Sequence, residues 1–181
     1  MRVIAGSVRG HRLKAPKGEG TRPTEDRIKE NVFNILGQNF SGGVVLDLFA
    51  GSGGNGIEFL SRGCDFCYFV DCSKEATAII RENLEHTHLT DKAKILSVQY
   101  RQGLKKLKGI QMDYIYIDPP YERKDYYDNS FQEILNYQLL KTNGLLIIEY
   151  DERQVLDPEK DFEEITRRNY GNTEISIWRK I

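Results

Sequence analysis

The stretch Val44-Val45-Leu46-Asp47-Leu48-Phe49-Ala50-Gly51-Ser52-Gly53-Gly54-Asn55-Gly56 decides the fold. Its apolar start reads as a buried strand over 43–48, and its glycines as a tight turn into a helix over about 54–62. The alternation continues downstream: strand 67–71 and helix 74–86, strand 93–98 and a short helix 101–107, strand 113–118 and helix 128–140, then strand 144–150. Phe162 to Tyr170 and Thr173 to Arg179 flank Gly171-Asn172 and read as a closing hairpin. Strands that alternate with helices imply an α/β fold with a doubly wound, mostly parallel sheet and right-handed crossovers. The closing hairpin adds an antiparallel element and brings the expected sheet to seven strands.

Upstream, Val3-Ile4-Ala5-Gly6 and His11-Arg12-Leu13-Lys14 flank Arg9-Gly10, so residues 2–14 read as a basic hairpin. Pro16 to Pro23 is a Gly/Pro-rich connector, and Thr24 reads as the N-cap of a helix. Ile28, Val32, Ile35 and Leu36 give that helix its apolar period to about residue 38. The expected division is an N-terminal basic arm over 1–20 and a main domain over 21–181.

Composition bounds the function more loosely. The chain has 181 residues, 39% hydrophobic and 29% charged, as an ordinary globular domain has. No run is long enough for a membrane span and no apolar leader follows the N-terminus, so a cytoplasmic protein is expected. The net charge is -1, yet residues 1–30 hold eight basic and four acidic side chains, a local excess of +4. Such an arm can hold phosphates through its local field. Cys64-x-x-Cys67 has no second cysteine pair to complete a zinc site, and Cys67 lies in the apolar run Phe66 to Val70. It reads as a small buried hydrophobe, with neither a metal nor a disulfide expected.

The opening stretch contains a literal G-x-G-x-x-G, Gly51 to Gly56, with Asp71 twenty residues after Gly51. Two acids direct the reading away from a dinucleotide. Asp47 would repel a pyrophosphate but suits a ligand that carries an ammonium and a sulfonium. Asp71, at the end of the second strand, can accept from both hydroxyls of a ribose. S-adenosylmethionine satisfies both.

A second motif, Asp118-Pro119-Pro120-Tyr121, ends the strand Tyr114-Ile115-Tyr116-Ile117 about seventy residues later. The amine on a nucleobase is a poor nucleophile because its lone pair is delocalised into the ring. The Asp118 carboxylate and the Pro119 carbonyl can take its two hydrogens and localise that pair. Prolines stiffen the turn and lack the N–H that would compete for those acceptors. Tyr121 can stack on a base turned out of its helix. The two motifs together point to methyl transfer onto a base amine, with rate supplied by orientation.

These residues resemble the class I S-adenosylmethionine-dependent methyltransferases that modify base amines. Within them the chain resembles the RsmD family, the bacterial 16S rRNA (guanine-N2)-methyltransferases. The resemblance spans nearly the whole chain and includes Arg2 to Gly6, Arg9-Gly10, Arg22-Pro23-Thr24, Arg27, Phe33 to Leu36, Leu46 to Gly53, Gly56-Ile57-Glu58, Leu60 to Gly63 and Asp118 to Tyr121. It implies a Rossmann-like fold, S-adenosylmethionine as cofactor, and one guanine in 16S rRNA as target. The expected substrate form is a partly assembled small ribosomal subunit, and the expected oligomeric state is a monomer. The expected catalytic set is Asp118, Pro119, Pro120 and Tyr121. The expected cofactor contacts are Asp47, Phe49, Ala50, Gly51, Ser52, Gly53, Asn55, Asp71, Cys72 and Gln102. Gln102 stands for the Asp or Asn that family members tend to carry for the adenine amine. The expected RNA contacts are Arg9, Arg12, Lys14, Arg22, Pro23, Thr24 and Arg27. The chain departs from the family at Gly54-Asn55, where Ala-Leu is usual, and at Asp71, where Glu is frequent.

Four other readings remain at this level. An adenine-N6 or cytosine-N4 DNA methyltransferase uses a similar Pro-Pro-aromatic motif but usually needs a further recognition domain. The same chemistry on a protein glutamine does not need a basic arm. An NAD-dependent oxidoreductase conflicts with Asp47. A non-catalytic RNA-binding assembly factor conflicts with an intact Asp118 and glycine loop.

Overall fold

A computed structural model describes residues 1–16, 23–120, 123–153 and 160–181. Thirteen named elements follow one another: α1 (Pro23–Leu36), β1 (Val44–Leu48), α2 (Gly54–Ser61), β2 (Phe66–Asp71), α3 (Lys74–His86), a 3-10 turn (Thr90–Lys92), β3 (Ala93–Ser97), α4 (Tyr100–Lys106), β4 (Met112–Ile117), α5 (Lys124–Asn136), β5 (Leu140–Asp151), β6 (Phe162–Tyr170) and β7 (Thr173–Lys180). The seven strands form one sheet in the order β3-β2-β1-β4-β5-β7-β6. Strands β1 to β5 pair in parallel; β7 runs antiparallel to both β5 and β6. The α/β, doubly wound, mostly parallel fold expected from the sequence is the fold observed.

The strand alternation explains why both faces of the sheet are covered. Val45, Cys67, Phe69, Tyr116 and Ile147 pack with residues of α1, α2 and α3 on one face. Leu46, Leu48, Val70, Ile115 and Ile148 pack with α4 and α5 on the other. Successive strand residues point to opposite faces, so a strand covered on both must be almost wholly apolar. Asp47 breaks that rule in β1, at 2% exposed.

The chain proceeds from β1 outward to β3 and then returns past β1 to β4. The order therefore reverses between β1 and β4, and ligands of such sheets bind outside the carboxyl ends of the strands at that point. The glycine loop after β1 and the Asp-Pro-Pro turn after β4 both lie there.

Three element boundaries differ from the sequence reading. α1 begins at Pro23, not behind a Thr24 cap; proline has no N–H to lose in a first turn, and its φ suits that position. α5 spans Lys124–Asn136 instead of 128–140. Its buried stripe is Tyr127, Phe131 and Ile134, whereas Leu139 and Leu140 belong to the sheet: Met112 N–H donates to Leu139 O, and Leu140 is the register partner of Met112. β5 consequently starts at Leu140, with a register shift opposite Met112 and Tyr114 and with Asn143 at φ 64. Among the described residues no helix is long and apolar enough to cross a membrane.

Candidate active site

The loop after β1 is held by backbone bonds to β2. The N–H groups of Phe49 and Ala50 both donate to Val70 O, at 3.0 and 3.1 Å. Phe49 takes a left-handed φ of 65, which a bulky side chain rarely adopts. Gly53 N–H donates to Ala50 O, and Gly53 is the N-cap of α2. At Gly56 a Cβ would lie 2.3 Å from the Phe69 ring and 2.7 Å from Cys67 Sγ. Glycine there lets α2 approach β2 and fixes where the loop sits.

Asp47 lies under this loop, in register with Phe69 of β2 and Tyr116 of β4. Its Oδ2 accepts from Gly56 N–H at 2.8 Å. Burial pushes its carboxyl up to about 7; the Gly56 N–H opposes that rise, and the Asp71 charge adds to it. Asp71, half-buried at the end of β2, accepts from Gly51 N–H at 2.9 Å and from Ser73 N–H at 2.8 Å. Both oxygens thus already shape the loop, and a carboxylate keeps further lone pairs for hydroxyl donors. Cys72 beside it is exposed, while Cys64 and Cys67 are buried, as read for Cys67. Among the described residues no group of three or more His, Cys, Asp or Glu is placed to hold a metal ion.

Gln102 lies on the exposed side of α4, one turn past the end of β3. Gln99, the N-cap residue of α4, stands nearer that strand end and is also exposed. The neighbouring Val98 N–H donates to Asp71 O, so this segment is tied to the carboxyl end of β2.

On the acceptor side, Asp118 N–H donates to Leu48 O at 3.4 Å, which keeps the turn after β4 against the end of β1. Asp118 is half-buried, Pro119 buried and Pro120 exposed. Arg123 N–H closes the turn by donating to Pro120 O at 3.0 Å. Tyr121 and Arg22 lie outside the described residues. Beneath the turn, the buried Tyr116 hydroxyl donates to Glu149 Oε2 at 3.0 Å, and the Tyr127 hydroxyl donates to Glu149 O at 3.1 Å. Burial holds the Tyr116 phenol well above its usual range, and the charges of Glu149, Asp118 and Asp47 act the same way.

Several neighbours of the site escaped the sequence reading. The Phe49 ring stacks on Tyr126 at 5.6 Å and 9° and lies 5.2 Å from Tyr100. Tyr100 and Tyr126 are 4.7 Å apart, and the Arg123 guanidinium sits 4.1 Å over Tyr126. This cluster joins the segments that follow β1, β3 and β4. A sequence signal existed in Tyr100 and Tyr126 as aromatics just past two strand ends; their mutual approach had none.

The arm is a short hairpin closed by an Arg2–Arg12 bridge. Val3 and Leu13 are buried in the core. Glu58 of α2, fully buried, accepts from Ile4 N–H at 2.8 Å and Ala5 N–H at 3.0 Å. Its charge is matched by Arg62 Nε at 2.8 Å and Lys29 Nζ at 3.4 Å. Arg9, Arg12 and Arg27 are exposed and make no ion pair among the described residues. Lys14 pairs with Glu82 on the surface.

The family model described as "Conserved hypothetical protein 95" matches residues 1–179. YlbH of Bacillus subtilis (strain 168) is 40% identical across 99% of this chain and 99% of its own. Ribosomal RNA small subunit methyltransferase D of Escherichia coli (strain K12) is 32% identical, over 81% of this chain and 69% of its own. A conserved hypothetical protein of Streptococcus pyogenes shares the fold with a TM-score of 0.79 at 28% identity, over 84% of this chain and 95% of its own. The family match spans all but the last two residues and takes in both the glycine loop and the Asp-Pro-Pro turn, so this chain belongs to that family, the RsmD family of methyltransferases.

Proposed function

We propose that the protein transfers a methyl group from S-adenosylmethionine to the exocyclic N2 amine of a guanine in 16S rRNA. The observation that carries this reading is the hydrogen bond from Asp118 N–H to Leu48 O, which keeps the Asp-Pro-Pro turn beside the end of β1, where the glycine loop begins. The relative from Escherichia coli named as ribosomal RNA small subunit methyltransferase D supports rRNA as the substrate class.

The donor set fits the cofactor. Asp47 is a buried carboxylate at the base of the loop and balances a cationic ligand once ionised. Asp71 stands ready for ribose hydroxyls, and Gln99, in preference to Gln102, for an adenine amine. Bound there, S-adenosylmethionine supplies an electrophilic methyl on sulfonium. The chain's own part is orientation. The Asp118 carboxylate and the Pro119 carbonyl accept the amine hydrogens and aim its lone pair, and Tyr121 stacks on the base. Arg9, Arg12 and Lys14 of the arm and Arg27 hold phosphates, and Arg22, Pro23 and Thr24 complete the proposed RNA contacts. The protein acts as a cytoplasmic monomer on a partly assembled small subunit.

A tritiated-methyl transfer assay tests this reading. Purified protein receives naked 16S rRNA or small subunits from cells that lack the gene, and the labelled nucleoside is identified. Label in N2-methylguanosine is the expected result. Label on adenine overturns the guanine assignment, and no label on either substrate overturns the reaction. In the same assay Asp118→Ala is expected to lower the rate by about 10² or more with cofactor affinity unchanged. An unchanged rate removes Asp118 from the mechanism.

A further inference from the structure

Asn83, on α3 and 1% exposed, serves three backbone atoms with one amide. Its Oδ1 accepts from Lys14 N–H at 2.8 Å, and its Nδ2 donates to Lys14 O at 3.0 Å and to Ser52 O at 2.9 Å. The first two bonds belong to the arm and the third to the glycine loop. Two other contacts repeat this pairing of arm and loop. Met1 Sδ lies 3.4 Å from Ser52 Oγ, and a Cβ on Gly54 would come within 2.1 Å of that sulfur. Glu58, which anchors Ile4 and Ala5, stands on the helix that the loop opens into.

We propose that Asn83 is a positioning residue that joins the arm to the cofactor loop, so that RNA on the arm and S-adenosylmethionine at the loop raise each other's affinity. This rests on the functional reading above, which puts RNA on the arm and the cofactor at the loop. Phosphates held by Arg9 and Arg12 stiffen an arm that Val3, Leu13 and Glu58 already seat. The ordered Lys14 backbone fixes the plane of the Asn83 amide, and the amide fixes the Ser52 carbonyl. Ordering the loop for the cofactor then no longer falls on the cofactor alone. Linkage makes the effect reciprocal: the cofactor tightens RNA binding by the same factor.

The test is a binding cycle on the full chain with S-adenosylhomocysteine and 16S rRNA as probes. Wild-type protein is expected to bind S-adenosylhomocysteine about fivefold or more tightly when saturated with RNA. Asn83→Ala is expected to bring that ratio to about one, while RNA binding and S-adenosylhomocysteine binding each remain measurable alone. A purely structural role would lower thermal stability and leave the ratio intact. Should Asn83→Ala not fold, Asn83→Asp decides by the same ratio, since it keeps the acceptor for Lys14 N–H and removes the donor to both Lys14 O and Ser52 O. A wild-type chain that binds no RNA overturns the functional reading and the coupling with it. RNA binding without tighter S-adenosylhomocysteine overturns the coupling alone. A ratio preserved in both variants removes Asn83 from it.

Discussion

Asp47 carries the sharpest consequence at the residue scale. Burial lifts its carboxyl from the ordinary 3.8 to about 7. The folded chain therefore holds a proton that the unfolded chain releases across that window. The stability this group contributes is full below about pH 4 and is lost as the pH rises through about 7. Thermal melts at about pH 5 and about pH 8 are expected to show that loss in the wild type and less of it in Asp47→Asn. With the cofactor at Asp47 as proposed, its binding is expected to run the opposite way, because a cationic ligand prefers the ionised carboxylate. S-adenosylhomocysteine keeps the ammonium of the cofactor, so its affinity is expected to rise with pH through about 7 in the wild type and to stay flat in Asp47→Asn. Gly56 is a second test: its missing Cβ would sit 2.3 Å from the Phe69 ring. Gly56→Ala is expected to lower stability by about 1–3 kcal/mol through overpacking, measured by denaturant unfolding. The acids of the site were legible in the sequence because each closes a strand or its turn. Asn83 and Glu58 were not, since their partners lie 69 residues away at Lys14 and 54 at Ile4, and no local period marks such a pairing.

At the scale of elements, the arm is fastened to α2 by charge that water does not reach. Glu58 is 0% exposed, with Arg62 and Lys29 at 3% and 4%. Removing one member of a buried set leaves the others uncompensated. Burial already holds the Lys29 ammonium below its usual range, against the pull of Glu58. Glu58→Ala is expected to destabilise the fold by about 3–5 kcal/mol. Its arm is also expected to be cut by trypsin at Arg9 faster than in the wild type; equal cutting would show that the Asn83 and Met1 contacts hold the arm without Glu58. At Gly54, where the family resemblance leads one to expect alanine, a methyl would meet the flexible end of the Met1 side chain, so an alanine there would need only Met1 to turn aside. Most strands and helices were legible from their apolar period. The displaced α5 shows where that signal fails, because Leu139 and Leu140 extend a helical stripe by chance while their backbone pairs with Met112. Whether a leucine serves a helix or a strand is then settled by the neighbouring strand.

At the scale of the whole molecule, two apolar clusters on opposite faces of one sheet hold the carboxyl ends of β1 to β5 in line. That topology was readable from the order of strands and helices, and the reversal between β1 and β4 brings the two motifs together. The net charge of -1 conceals the arm, because a sum over the chain discards position. In the fold, Arg2 and Arg12 face each other across the hairpin as like charges. A like-charged cross-strand pair is unfavourable, and a polyanion relieves it. Arg9 and Arg12 are exposed, so their replacement leaves the buried contacts of the arm in place. The double variant Arg9→Ala, Arg12→Ala is accordingly expected to melt no lower than the wild type and to bind 16S rRNA more weakly. The slope of log affinity against log salt is expected to shrink in magnitude by about 1.4–1.8, the loss of two phosphate contacts. A slope equal to that of the wild type would assign the arm to holding the cofactor loop and place the RNA on another face of the protein.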